Sequence, residues 1–338
     1  MSADLETLLG ASLGDVLVSL EAERQRALQK VYVALGIAGL CGLFALVSFF
    51  KLLDGQISAI LFLAICSGGI AICAWSGKNA AGEYSHAFKY LVPNLLVRSI
   101  DESLTYSPFK SITPVEFEKS NLFPHRHNRF RGEDLIEGRI GQTQIRFSQI
   151  HAEYSAQGPN SSDEWHTIFR GLFFIADFNK NFNGETMVLP DNLTAPLGRF
   201  AHTLQALGAK MNARRGDLVV LEDPEFDREF AVYATDQIEA RYILSNSLMR
   251  RILGFQRKTG RPLHLSFVAN KICIAIPGQK NMFEPSIFRS ALATAPLEDY
   301  LNDLKMVTGL VDELDLNTRI WSKQPSVPTS QTPQLQTA

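Results

Sequence analysis

Two apolar runs, Val31 to Phe50 and Ile57 to Trp75, contain no Asp, Glu, Lys, Arg or His. Each has about the 20 residues that a helix needs to cross a hydrocarbon core of ~30 Å. Only Lys51-Leu52-Leu53-Asp54-Gly55-Gln56 separates them, and Asp54-Gly55 is a tight-turn pair. The pattern predicts a two-helix transmembrane hairpin spanning 31–75. A buried helical hairpin in a soluble protein would carry a polar stripe where one side reaches water. Here the polar interruptions are Ser48, Ser58 and Ser67, with Cys41, Cys66 and Cys73. Ala34-Ala38-Gly42 and Ala64-Gly68 set small residues four apart, which lets helices approach closely, within one hairpin or between copies.

The first apolar run follows thirty residues that carry Asp4, Glu6, Asp15, Glu21 and Glu23. That lead and the length of the run argue against a secretory signal peptide. Arg24, Arg26 and Lys30 precede the first run, Lys51 sits in the connection, and Lys78 and Lys89 follow the second. The positive-inside rule then places both chain ends in the cytoplasm and the short turn outside. Three of the four cysteines lie in the apolar runs and Cys273 lies in an apolar strand, so no disulfide framework is expected. A net charge of −2 argues against a general nucleic-acid binder.

Residues 1–30 read as an amphipathic helix, with Leu9, Leu13, Val16 and Leu20 on one stripe. The stripe suits packing on the soluble domain or the membrane surface, or a short self-associating coil. After Trp75 a polar helix is expected to end before Pro93. Thr113-Pro114-Val115-Glu116 matches a capping box and announces a helix to about Ser120. Leu135–Ile140 and Thr143–Tyr154 read as a hairpin about Gly141-Gln142, with a parity change that suggests a bulge near Ser148-Gln149. Thr167–Phe178 is apolar on both parities, as a central strand covered on both faces would be. Thr186–Leu189 is expected to pair with it.

Leu197, Phe200, Leu204 and Leu207 form a helical stripe, and Leu218–Leu221 and Phe230–Tyr233 short strands. Asp236 and Glu239 open a helix with inner residues Ile238, Tyr242, Leu248 and Ile252. Leu263 to Phe267 and Ile272 to Ile276 form a hairpin about Ala269-Asn270-Lys271. Pro296 opens a last helix bearing Leu297, Leu301, Leu304, Val307 and Val311. The expected fold class is α+β: a two-helix transmembrane hairpin followed by a cytosolic domain of antiparallel hairpins with packed helices over 84–322. That domain has a candidate break into two subdomains near 190–215. The Pro/Ser/Thr/Gln tail, 323–338, is expected to be disordered.

His125-Arg126-His127, followed by Asn128-Arg129-Phe130-Arg131-Gly132-Glu133-Asp134, is the densest polar cluster. His125 and His127 would face the same way on an extended segment, and Glu133 or Asp134 would complete a ligand or metal site. The arginines interleaved with Phe130 suit lipid headgroups or another anionic partner. A solvated loop leading into a strand is the plainer reading. Asp177 to Gly184 superficially matches a calcium loop, but Gly184 falls two places late and Val188 stands where a bidentate Glu is required. Asn183-Gly184 is instead expected to be a hairpin tip. Arg250, Arg251, Arg257, Lys258 and Arg261 gather at a helix end, where cations complement the dipole. No phosphate-loop, dinucleotide, serine-hydrolase or H-E-x-x-H motif occurs.

The run Phe169-Arg-Gly-Leu-Phe-Phe-Ile-Ala-Asp-Phe-Asn-Lys-Asn-Phe-Asn-Gly184 and the run from Glu222-Asp-Pro-Glu-Phe-Asp-Arg-Glu-Phe to Arg241-Tyr-Ile-Leu244 follow the double apolar span. Together they resemble the bacterial membrane proteins grouped as domain-of-unknown-function family 3137, over about Glu83 to Trp321. The resemblance implies a bacterial membrane protein with a large cytosolic domain, and it supplies no catalytic residues or cofactor.

The leading expectation is a non-enzymatic, membrane-anchored interaction or sensory module in the cytoplasmic (inner) membrane, with a protein partner. Tyr233, Asp236, Glu239 and Arg241 are its candidate partner surface, although capping and helix-surface pairing account for them too. One alternative is a membrane-surface enzyme or metal-binding protein using His125, His127, Glu133 and Asp134. The other is a homo-oligomeric envelope scaffold.

Overall fold

A computed structural model describes residues 3–54, 57, 59–157, 163–190, 216–278 and 281–318. The stripe Leu197–Leu207 and the 323–338 tail lie outside the described residues. The expected N-terminal helix and the first apolar run are one element, α1 (Ala3–Leu53). No proline interrupts residues 3–53, and extending a nucleated helix is easier than starting a second one. At 1.5 Å per residue α1 is about 76 Å long. The second apolar run likewise continues into α2 (Ala59–Ile100). The expected stop before Pro93 does not occur. Proline removes one helix hydrogen bond, at ~3 kcal/mol, but Phe88, Val92, Leu96 and Val97 around it are all buried in the main core. Tertiary packing outweighs the local penalty.

α1 and α2 lie side by side and antiparallel. Cys41 Sγ lies 3.1 Å from where a Cβ on Gly69 would sit, Val31 is near Gly77, and Lys30 Nζ is 4.0 Å from Glu83. Their apolar stretches are exposed, while Leu13, Leu17, Leu20, Tyr84 and Phe88 join the main core. Leu13, Val16 and Leu20 of the expected stripe therefore pack inside the chain's own fold.

Among the described residues the sheet has nine antiparallel strands: β1 (Thr105–Ser107), β2 (Arg129–Ile140), β3 (Thr143–Gln157), β4 (Asp163–Asp177), β5 (Thr186–Pro190), β6 (Asp217–Val219), β7 (Phe230–Ala234), β8 (His264–Val268) and β9 (Lys271–Pro277). Their order is β1-β2-β3-β4-β9-β8-β5-β7-β6. Strands from both sides of 191–215 thus hydrogen-bond within one sheet. The helices are α3 (Pro114–Lys119), α4 (Pro224–Glu229), α5 (Gln237–Ile243), α6 (Asn246–Thr259), α7 (Thr294–Thr308) and α8 (Leu310–Glu313).

β4 is central and covered on both faces, as its sequence predicts. Phe174 joins the main core with α2, α6 and α7, and Phe173 joins a second core with Ile112, Phe117, Phe169 and Ile175. The Thr113 box forms as expected: its hydroxyl accepts from the Glu116 N–H, and the Glu116 carboxylate accepts from the Thr113 N–H. Ala269 and Asn270, both at positive φ (51° and 59°), make the two-residue turn between β8 and β9.

Four further expectations need correction. The parity change in β3 is no bulge: Ile145 and Phe147 face the main core, while Ile150 and Ala152 face the second. The bulge lies on β2, where Asp134 and Leu135 stand opposite Ser148 alone. β5 pairs with β7 and β8, and β4 takes β9 as its neighbour. Residues 178–185 are therefore a crossing, and Asn183-Gly184 is not a hairpin tip. Finally, the helix opened by Asp236 is two helices. Ser245 caps α6 separately, leaving Ile238 and Tyr242 exposed while Ala240 and Ile243 are buried. The last helix matches its pattern: Leu297, Leu301, Leu304, Val307 and Val311 are all buried.

Candidate functional site on the helix-covered face

The bulge in β2 builds the polar centre of the molecule. Asp134 sits at φ 61°, a left-handed conformation that Asp adopts more readily than most residues. The N–H groups of Asp134 and Leu135 turn from β3 to the carbonyls of Pro108 and Lys110, at 2.9 and 3.0 Å. This aims the Asp134 carboxylate inward, where it accepts from the Tyr106 hydroxyl at 2.6 Å and from Lys89 Nζ at 3.4 Å. Lys89, on the buried face of α2, also donates to Glu133 Oε2 at 2.6 Å. Asn281 donates to Glu133 Oε1 at 3.0 Å.

Burial pushes the Asp134 carboxyl up to about 6, against the partial relief that Lys89 supplies. Burial also opposes the charge on Lys89, but Asp134 and Glu133 beside it more than compensate, and its pKa is raised. The Tyr106 hydroxyl is raised by its burial and by Asp134. The group is arranged to hold charge in place and to join α2, β1, β2 and the loop after β9.

Beside it runs a second feature. Arg131 pairs across the sheet with His151, and His151 with Arg170, so the three side chains share the face that carries Glu133. With Gln149 and Asn281 they line a cavity of about 330 Å³. The backbone there is tight. Gly171, at φ 154°, brings Ile276 O within 2.2 Å of where a Cβ would sit, and Gly278 N–H donates to the Arg170 carbonyl at 3.0 Å.

The sheet divides the predicted quartet. Glu133 and Asp134 are with Lys89, whereas His125 and His127 lie on the opposite face. His125 stacks on Tyr154, with ring centres 4.3 Å apart, and burial and His166 lower its pKa. His127 Nδ1 is 3.1 Å from Glu118 Oε1, and its ring packs on Phe130. Among the described residues no group of three or more His, Cys, Asp or Glu is placed to hold a metal ion. The interleaved arginines also separate: Arg129 lies over Trp165, 3.6 Å from the ring centre, while Arg126 lines a cavity with Phe117, Phe123 and His125.

The second predicted group is engaged within the fold. Asp236 accepts from the N–H groups of Ile238 and Glu239 as the α5 cap. Glu239 accepts from the N–H groups of Asn183 and Gly184, anchoring the 178–185 crossing. Arg241 reaches the carbonyls of Gln237 and Val220, and Tyr233 is half-buried on β7. Three cations of α6 find acids: Arg257 bridges Glu225 and Glu229, Lys258 meets Glu313, and Arg251 lies 3.8 Å from Asp315.

Sequence reasoning missed Lys89, Tyr106, His151, Arg170 and Asn281. Lys89 carried a local signal, a lone cation among Phe88, Val92 and Leu96. Arg131 stands among the arginines interleaved with Phe130, but His151 and Arg170 carry no local signal, because only strand register makes them its neighbours.

No curated protein matches the chain. Among solved structures, the crystal structure of the mycobacterial trehalose monomycolate transport factor A, TtfA, aligns at 12% identity. The alignment covers 70% of this chain and 97% of that one, with a TM-score of 0.32. That score is too low to equate the two folds. The family match covers part of the chain, and it starts within β4 rather than at the expected Glu83. Residues 167–316, which contain both recognised runs, match the family described as Protein of unknown function (DUF3137).

Proposed function

We propose that this protein is a non-enzymatic, membrane-anchored interaction module, with α1 and α2 forming a transmembrane hairpin and the sheet domain in the bacterial cytoplasm. One observation carries the reading: two helices change their surroundings abruptly along their length. Between Val31 and Trp75 large apolar side chains such as Leu35, Phe44, Leu61 and Phe62 are each about 60% exposed or more. Past that stretch the same helices are sealed by Leu20, Phe88, Val92 and Leu96. Soluble proteins rarely expose apolar patches beyond a few hundred Å², and a soluble core helix would be covered. Arg24, Arg26, Lys30, Lys78 and Lys89 against Lys51 alone support cytoplasmic ends.

The buried Glu21–Arg24 pair supports a domain held firmly to its anchor. Glu21 accepts from Arg24, Gln25, Ser290 and the Ala291 N–H, while Arg24 donates to the Ile287 carbonyl at 2.8 Å. An enzyme or metal centre using His125, His127, Glu133 and Asp134 together would require the sheet between them to open. A scaffold assembled through the leucine stripe would require Leu13, Leu17 and Leu20 to leave the core.

The test is extraction followed by capture. The full chain should stay in the membrane pellet through alkaline carbonate and need detergent for release. In-cell photocrosslinking from the sheet domain should then yield a discrete protein adduct. A chain washed off by carbonate removes the anchor, and crosslinks absent from every face of the domain remove the interaction role.

A further inference from the structure

The guanidinium groups of Arg131 and Arg170 are exposed, and neither makes an ion pair or hydrogen bond with another described residue. They stand on β2 and β4, on either side of His151 on β3, two strand spacings or roughly 10 Å apart, so that one anion can be held between them. Two carboxylates lie close by. Glu133 has Lys89 on one oxygen and Asn281 on the other, and Glu153 lies 3.6 Å from His151 Nε2. Lys89 therefore keeps Glu133 from neutralising the row. Gln149 sits in register between Glu133 and Leu172 and brings an amide N–H₂ to the same cavity. Arginine forks match the oxygens of a phosphate two at a time, and about 330 Å³ is the lower end of the range for small-ligand sites.

We propose that Arg131, Arg170, His151 and Gln149 form a binding site for a phosphate-bearing anion, supplied either free in solution or as a lipid headgroup. A free anion reaches the exposed guanidinium groups from solvent, and the chain's path turns the row toward the apolar stretch. Lys89 lies fourteen residues beyond Trp75 on α2, about 21 Å along the helix. β1 returns toward the apolar stretch and brings Phe109 against His86 and Tyr90. β2 runs antiparallel to β1, so Arg131 is nearer that stretch than Glu133 by about 7 Å. Exposed Trp165, carrying Arg129 on its ring, lies further along the same side, in the manner of an interfacial anchor. The headgroup source rests on the membrane placement proposed above; the free anion does not.

The test compares full-length wild type with Arg131→Gln/Arg170→Gln. An Arg139→Gln/Arg289→Gln control removes the same charge from exposed sites elsewhere. One arm is equilibrium dialysis of radiolabelled inorganic phosphate against protein in a neutral detergent. The other is native mass spectrometry from nanodiscs of phosphatidylcholine with phosphatidylglycerol. In at least one arm wild type and control should bind alike, with the site variant at least tenfold weaker. Loss in the phosphate arm identifies a free anion, and loss in the phosphatidylglycerol arm alone a headgroup. Arg131→Lys/Arg170→Lys, which keeps charge but not the forks, should fall between, and an unchanged thermal midpoint excludes misfolding. Equal binding by the site variant and the control in both arms, or no saturable binding by wild type in either, overturns the proposal. A chain that fails to enter nanodiscs refutes the anchor while leaving the phosphate arm to decide the site.

Discussion

Lys89 Nζ on α2 donates to Glu133 Oε2 on β2 at 2.6 Å, with the lysine side chain only 7% exposed. This contact joins a helix that begins in the apolar stretch to the strand that starts the basic row. Removing one partner of a buried pair costs about 3–5 kcal/mol because the other charge is left uncompensated. Lys89→Ala should therefore lower the thermal midpoint of the detergent-solubilised chain by roughly 6–20 °C, at 2–4 °C per kcal/mol. A loss below 2 °C would mean that the carboxylates find solvent.

Asp134→Asn should behave oppositely. Asparagine accepts the Tyr106 hydroxyl, tolerates positive φ and removes a buried charge, so at pH 7.5 its midpoint should equal or exceed that of wild type. A fall comparable to that of Lys89→Ala would show that the Asp134 charge is needed.

The same carboxyl sets a pH dependence. Its folded pKa, about 6, lies above its ordinary value of 3.8. Between these values the folded chain holds a proton that the unfolded chain has released, so stability declines as pH rises through that window. Relative to Asp134→Asn, wild type should gain stability on the order of 3 kcal/mol as pH drops from 7 to 4. Parallel melting curves for the two proteins would contradict this.

Glu21 gives the opposite sign. The Arg24 guanidinium beside it, helped by the Ala291 N–H, holds its carboxyl down to about 2. Its contribution is present above its ordinary value of 4.5 and is lost as pH falls toward 2. Glu21→Ala should loosen the 287–291 segment, read as faster amide exchange at Ala291, and should flatten the acid limb of the melting curve. Unchanged exchange there would separate α1 from the loop.

Ala269 turns the β8–β9 hairpin in a conformation that suits glycine. Replacing it by glycine relieves a left-handed strain of about 1–2 kcal/mol but adds unfolded-state freedom of about 0.4–1 kcal/mol. Ala269→Gly should thus hold the midpoint or raise it by up to a few degrees. A decrease would show that the alanine methyl makes a contact that matters.

These sites also mark what was readable in the sequence. Local rules carried the Thr113 cap, the 263–276 hairpin, the doubly apolar β4 and the last helix, because each depends on residues within a turn or a strand length. Thr186–Leu189 reads as a strand from its own residues, but its neighbours β7 and β8 do not show locally, since strand order is a long-range property. Pro93 misled because its local penalty is smaller than the burial around it. Glu133 and Asp134 were singled out from a dense polar run, but their partner Lys89 lies 44 and 45 positions away. The histidines grouped with them are divided from them by the thickness of the sheet, which no linear spacing records.

The most direct measurement is thiol labelling in intact cells, in a background lacking the four native cysteines. Single cysteines are placed at Asp54, Phe62 and Lys110, and a membrane-impermeant maleimide is added. Asp54→Cys should react from outside, Phe62→Cys should stay unreactive in lipid, and Lys110→Cys should react only after permeabilisation. Ready aqueous labelling at Phe62, or Asp54 requiring permeabilisation, would contradict the membrane hairpin on which the proposed function stands.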